Sequence, residues 1–210
     1  MLSRIIDYVA SFVKYYAEGR KSCIINSFGL TIPLRLNPYL LLLPSLEIYG
    51  TNYGFEPGDV KAVPVEIEYA SGAWVMAFLL DPAVAFDISL SEQANFGIFA
   101  APAFLFRLPL FPWPEEESSD LTTRLVEYLY GSGRFFYPEV GIYFHYKLFE
   151  SIALKIQARA LFPLFHAWDE EGVEFHDQFV VLGSIGFRFL LSNEQVPDSQ
   201  ESDSQEPESQ

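Results

Sequence analysis

The sequence predicts an all-β protein, an eight-stranded antiparallel up-and-down barrel of the transmembrane type with a short N-terminal amphipathic helix. Three observations carry that expectation. From Trp74 to Leu90 the even positions hold Trp74, Met76, Phe78, Leu80, Pro82, Val84, Phe86, Ile88 and Leu90, while the odd ones hold small or charged residues such as Ala77, Asp81, Ala85 and Asp87. This is the period-two signature of a strand with two unlike faces. The alternation recurs along most of the chain, in segments joined by short connections, as a meander closing into a barrel requires. Finally, the bulky face is the apolar one, and the slender face carries Gly, Ala, Ser and the charges.

The 210 residues include 20 Phe, 12 Tyr and 3 Trp against 13 Lys+Arg and 28 Asp+Glu, a net charge of -15. Such an acidic chain lacks the clustered bases that nucleic acid requires, so no nucleic-acid partner is expected. Half of the residues are hydrophobic, which excludes a largely disordered chain. The single cysteine, Cys23, can form neither an internal disulfide nor a structural zinc site. No apolar run reaches the ~18 residues of a membrane helix. The N-terminus does not read as a secretory signal either, because Asp7 and Lys14 interrupt its apolar stretch and no small-residue cleavage site follows.

In chain order, residues 1–20 are expected to form the helix, since Ile5, Ile6, Val9, Phe12, Val13 and Tyr16 recur at helical spacing. Residues 21–191 form the barrel, with strands at about 22–36, 39–53, 62–70, 73–91, 94–111, 134–149, 152–167 and 174–191. Tight turns are expected at Asn37-Pro38, Ser71-Gly72, Glu92-Gln93 and Glu150-Ser151. A longer connection before Arg134 should contain a short helix over Leu121 to Tyr130. Pro33, Pro44, Pro82, Pro102 and Pro163 each remove a ladder donor, so bulges or strand ends are expected there. Residues 192–210 are acidic, without a base or an aromatic residue, and read as a disordered tail.

Face polarity decides what surrounds the barrel. An eight-stranded interior is barely wide enough for side chains, so the bulky apolar face should point outward. Exposing those stripes to water would be an aggregation liability, and lipid is the partner that suits them. The inward face then carries Arg35, Glu47, Asp81, Asp87, Arg107, Glu139, His145, Lys147, Lys155, Arg159 and Arg188, together with Glu66 and Glu68. Opposite charges in a narrow lumen can pair with one another, as isolated buried charges cannot. Strand direction places Trp74, Trp113 and Trp168 at one rim, where an interfacial aromatic girdle belongs.

Segments such as Val140-Gly141-Ile142-Tyr143-Phe144-His145-Tyr146 and the closing Gly183-Ser184-Ile185-Gly186-Phe187-Arg188-Phe189 carry a resemblance to a known family. Over about Ser22 to Leu191 the chain resembles the small eight-stranded outer-membrane β-barrels of the OmpA, OmpX and OmpW type. The resemblance implies residence in the cell outer membrane, and a final strand read by the barrel-assembly machinery.

No catalytic constellation is visible. The contexts His145-Tyr146-Lys147, His166-Ala167-Trp168 and His176-Asp177-Gln178 put no serine on the same strand face. Nucleophile elbow, phosphate loop and zinc motif are all missing from the sequence. No cofactor is expected and no metal site is assigned. The acidic connections at Glu115 to Glu117, Asp120 and Glu127, and at Asp169 to Asp177, could attract divalent cations. The resulting expectation is a non-enzymatic outer-membrane protein with a plugged, charge-paired lumen, serving a surface, structural or adhesion role or at most forming a narrow, porin-like channel. The alternative is a soluble lipocalin-like barrel around an apolar ligand, which needs the Phe and Leu stripes inside and Glu47, Asp81, Lys155 and Arg159 outside.

Overall fold

The computed structural model describes residues 5–16, 24–55, 62–65, 71–113, 118–168 and 179–190. Its elements are β1 (Ile5–Tyr16), β2 (Ile24–Thr31), β3 (Leu34–Arg35), β4 (Leu40–Phe55), β5 (Ala62–Val65), β6 (Gly72–Ser89), β7 (Ala94–Trp113), α1 (Ser118–Tyr130), β8 (Phe136–Phe149), β9 (Ile152–Leu161) and β10 (Phe179–Leu190). Neighbouring strands pair in the order β2-β1-β10-β9-β8-β7-β6-β4, and β2 pairs back onto β4, which closes the ring. All of the pairings are antiparallel. The wall thus has eight staves, with β3 continuing β2 beyond Ile32-Pro33.

One of the eight staves is not an expected one, and one expected strand is not a stave. Residues 5–16 form a strand, not a helix: β1 pairs with β10 from Ile5↔Leu190 to Tyr16↔Phe179 and with β2 from Asp7↔Thr31 to Lys14↔Ile24. Ile6, Tyr8, Ala10 and Phe12 fit period two as well as the apolar set fits 3.6, and a short segment leaves the two undecided. Closure decides, because an unpaired edge on β10 would leave a row of backbone groups without partners. The expected strand at 62–70 is not a stave. Its described residues form the short β5, against Asn52–Phe55 at the tip of β4, while β4 pairs directly with β6 from Leu40↔Phe86 to Gly54↔Gly72. Glu66 and Glu68 lie outside the described residues, as does the tail at 192–210.

The exchange of staves sets the two rims apart. One rim carries the start of β1, the end of β10, and the short turns β3–β4, β6–β7 and β8–β9. Asn37-Pro38 is one of these turns, and Asn37 Oδ1 accepts from the backbone N–H of Tyr39 and Leu40, both at 2.8 Å. The opposite, loop rim carries the longer connections and α1. Ser71-Gly72 is no hairpin turn; there the chain re-enters the wall beside Gly54 and Trp113.

Face polarity follows the parity of the sequence. Phe86 and Ile142 are 49% and 48% exposed, whereas Asp81 and Arg159 are each 3% exposed. The soluble alternative required the reverse, and the structure overturns it: the apolar stripes lie outside, and Glu47, Asp81, Lys155 and Arg159 are buried within.

Pro33 and Pro163 fall at strand ends, as expected, but Pro44, Pro82 and Pro102 stand inside strands, where Pro44 faces Pro82 and Pro102 faces Pro138. Asp87 N–H donates to Tyr39 O at 2.7 Å and Lys147 N–H to Gln93 O at 2.7 Å, so hydrogen-bonded positions in these two ladders fall on odd residues. Both proline pairs therefore occupy non-hydrogen-bonded positions, where no mutual donor is needed. Between β6 and β7 the phase differs. Leu90 N–H donates to Ala94 O at 2.9 Å, and the register passes from Leu80↔Phe104 to Val84↔Ala100, which sets Pro82 against Pro102 at a hydrogen-bonded position that neither can serve.

Candidate functional site

The interior is built in layers. Nearest the terminal rim, Leu41, Leu43, Ala83, Ala85, Phe99, Ala101 and Tyr143 pack together. Towards the loop rim Tyr49, Leu79, Leu105, Tyr137, Leu161, Phe165, Val180 and Leu182 form a second apolar layer. Glu47, Asp81, Glu139 and Arg159 are threaded between these layers. Small residues make the room: a side chain at Gly29 would collide with Glu47 across the β2–β4 ladder, and one at Gly141 with Phe99 and Arg159.

Arg159 on β9 is the hub. Its Nη2 donates to Glu47 Oε1 on β4, and its Nη1 lies 3.3 Å from Asp81 Oδ2 on β6 and 3.5 Å from Glu139 Oε1 on β8. In an eight-membered ring β9 and β4 stand four staves apart by either route, so this guanidinium braces the lumen across its full width. Ser27 donates to Glu47 Oε2 at 3.0 Å and Ser45 to Asp81 Oδ2 at 3.4 Å. One planar, five-donor group meeting three carboxylates is an arrangement that lysine could not replace.

A second group surrounds Asp87. Tyr143 donates to its Oδ1 at 2.8 Å, and Asn95 and Arg35 donate to its Oδ2 at 3.1 and 3.3 Å. Arg35 lies half in solvent at the terminal rim and also donates to Pro38 O at 2.9 Å. His145 is buried, with its ring 4.7 Å from that of Tyr143, and neither ring nitrogen has a hydrogen-bond partner among the described residues. Lys155 and Arg188 are buried nearby, with Lys155 Nζ 6.0 Å from the Tyr143 ring centre, and Asp7 stands opposite Arg188 in the register.

Of the expected network, Arg159, Glu47, Asp81 and Glu139 meet directly, and Arg35 pairs with Asp87. Lys147 is exposed at the terminal rim. Arg107 turns away from the carboxylates to serve α1. Its Nη2 reaches Leu129 O at 3.3 Å and Arg134 O, while Tyr130 hydroxyl donates to Arg107 O at 3.0 Å.

Parity alone misses the cap. Leu121, Leu125 and Leu129 lie on one face of α1 and bury against Tyr53, Phe55, Ala73 and Val75, the inward residues of β4 and β6 at the loop rim. Arg134 Nη1 donates to Tyr128 O at 3.3 Å, so two guanidinium groups meet the carbonyls at the C-terminus of α1. The helix ends where Ser132 and Gly133 take φ of 50° and 77°. The 3.6 period of Leu121, Leu125 and Leu129 was legible in sequence, but not what it would pack on.

Of the girdle tryptophans, Trp74 and Trp113 flank the loop rim on β6 and β7, and Trp74 packs on Phe111 with ring centres 5.8 Å apart. Trp168 belongs to the same rim; half-exposed, it donates from Nε1 to Ser132 O at 2.7 Å. Among the described residues no group of His, Cys, Asp or Glu is arranged to hold a metal ion. Glu115 to Glu117 and Asp169 to Asp177 fall outside them.

No family model matches the sequence. A stretch of 82 residues is 32% identical to a CDP-archaeol synthase of Methanocella arvoryzae, covering 38% of this chain and 43% of that enzyme. The chain therefore spans less than half the length of that curated relative. Among solved structures, Neisserial surface protein A is similar over 89% of this chain and 96% of its own, with a TM-score of 0.51 and 11% identity. Ail, the attachment invasion locus protein of Yersinia pestis, covers 90% of this chain and 100% of its own at a TM-score of 0.48 and 8% identity. With Neisserial surface protein A the likeness is one of fold, and the fold is that of the small eight-stranded transmembrane β-barrels.

Proposed function

We propose that the chain is an integral outer-membrane barrel protein, and that it acts without catalysis, through its outer surface, in a structural or adhesive role. The observation that carries this reading is the inverted polarity of a closed ring: outward stripes of Phe, Leu, Ile and Val around buried charges. A barrel without free edges, with its apolar side chains outside, meets both demands of hydrocarbon, which are satisfied backbone and an apolar surface. The Arg159 brace and the α1 cap support a plugged lumen with no open pore. Among the described residues no hydroxyl or thiol nucleophile is bonded to His145, which favours a role other than catalysis.

In this reading bilayer lipid surrounds the wall, and the assembly machinery reads β10 through Gly183 to Phe189. The loop rim faces outward, where its acids meet divalent cations or a basic partner. The surface role accords with the name of Neisserial surface protein A, whose fold the chain shares.

The test is refolding into detergent or lipid vesicles, followed by gel migration before and after boiling. The folded barrel should need the amphiphile and should migrate differently when unheated. A monodisperse preparation in plain buffer would sink the membrane reading. A flat conductance trace in planar bilayers is expected from the plugged lumen, whereas steady unitary currents would replace it with the narrow channel.

A further inference from the structure

We propose that the groove between α1 and the loop-rim end of β7 holds an acyl chain of a membrane lipid whose head group carries an amine. This rests on the membrane reading above and adds a defined lipid site to it. The groove encloses about 570 Å³, the volume range of small-ligand sites. Its apolar walls are Pro109, Leu110 and Pro112 on β7 and Val126 on α1.

Two features select the occupant. The first is continuity: Phe106, Leu108 and Leu110 are successive outward positions of one strand, each about two-fifths exposed, so the lipid-facing stripe of β7 runs without a polar break into the groove. A chain lying along that stripe reaches the groove without crossing water. The second is charge. Ser119, Thr122, Thr123 and Glu127 complete the lining, which holds no base among the described residues. Arg124, the nearest candidate in sequence, stacks instead over Phe55, with its guanidinium 4.5 Å from the ring centre. A carboxylate and hydroxyls beside an apolar slot suit an ammonium head group and disfavour a purely anionic one.

The experiment uses the full chain in vesicles of phosphatidylethanolamine and phosphatidylcholine, doped with phosphatidylethanolamine bearing a photoactivatable diazirine in its acyl chain. Labelled residues are mapped by mass spectrometry. Label is expected at Leu110 and Val126 as well as at wall positions such as Ile98 and Ile142. Val126→Asp should lower groove labelling about tenfold, equivalent to the ~1.4 kcal/mol of a decade in affinity, with wall labelling unchanged. Leu110→Asp should do the same should Val126→Asp fail to refold. A diazirine probe on phosphatidylglycerol should label the groove several-fold less, and Glu127→Gln should erase that preference. Label on the wall but not in the groove overturns this proposal and leaves the membrane reading standing; label on neither overturns both. Equal groove labelling by the two head groups overturns the amine assignment.

Discussion

Arg159 concentrates more of the molecule's electrostatics than any other single side chain described. Its guanidinium meets Glu47, Asp81 Oδ2 and Glu139 Oε1, while Asp81 Oδ1 and Glu139 Oε2 have no hydrogen-bond partner among the described residues. Removing one member of a buried ion group strands the rest, so Arg159→Met should cost about 3–5 kcal/mol of stability, read from urea unfolding in lipid vesicles. Removing the charges together is different in kind. A quadruple variant with Arg159→Met, Glu47→Gln, Asp81→Asn and Glu139→Gln should recover most of that loss, because nothing charged is left unpaired. If the single and the quadruple variants unfold at the same urea concentration, the brace does not act as a unit. Gly29 belongs to the same machinery. Gly29→Leu drives a side chain into Glu47 and should cost about 1–3 kcal/mol in the same assay, whereas Glu92→Gln at an exposed position should cost less than ~0.5.

At the scale of elements, the two ends of the chain behave differently from the middle. β1 supplies the ladder partner for both β10 and β2, so Val9→Pro, which removes a donor within a closed wall, should prevent formation of the fast-migrating unboiled band. The cap should respond otherwise. Leu125→Asp places a charge in the layer beneath α1 and should raise amide exchange in Ser118–Tyr130 while leaving the strand amides protected. Loss of protection throughout would make α1 part of the wall's own stability. These elements mark how far the sequence could be read. Alternation fixed which face of β6 to β10 points inward, because period two survives any error in strand ends. It could not separate strand from helix at Ile5–Tyr16, where both periods fit and long-range pairing with β10 decides. Nor could it discard a stave at 62–70, where the described residues form only the short β5 and β4 pairs directly with β6. Of the site, the buried charges were legible from parity. Which of them meet was not, since Arg159 reaches Glu47 through a ring closure that only the correct set of staves produces.

For the whole molecule the decisive property is the inversion of inside and outside. A lysine on the outer wall at Ile98 or Ile142 should weaken insertion by ~2–4 kcal/mol if it sits near the bilayer midplane, and progressively less towards the rims. Refolding yield against vesicle concentration measures this, and a lysine tolerated equally at every height would contradict a lipid-facing wall. The closed register has another consequence. Because Ile5 stands opposite Leu190, the two ends of the described wall are neighbours on one rim. Nothing in the ring of hydrogen bonds marks either as a beginning. Joining them with a short glycine-serine linker and opening the chain at Glu150-Ser151 would leave every ladder intact. Such a permutant, starting on β9 and ending on β8, should give the same unboiled mobility as the parent, as expected of a molecule whose architecture is circular although its chain is linear.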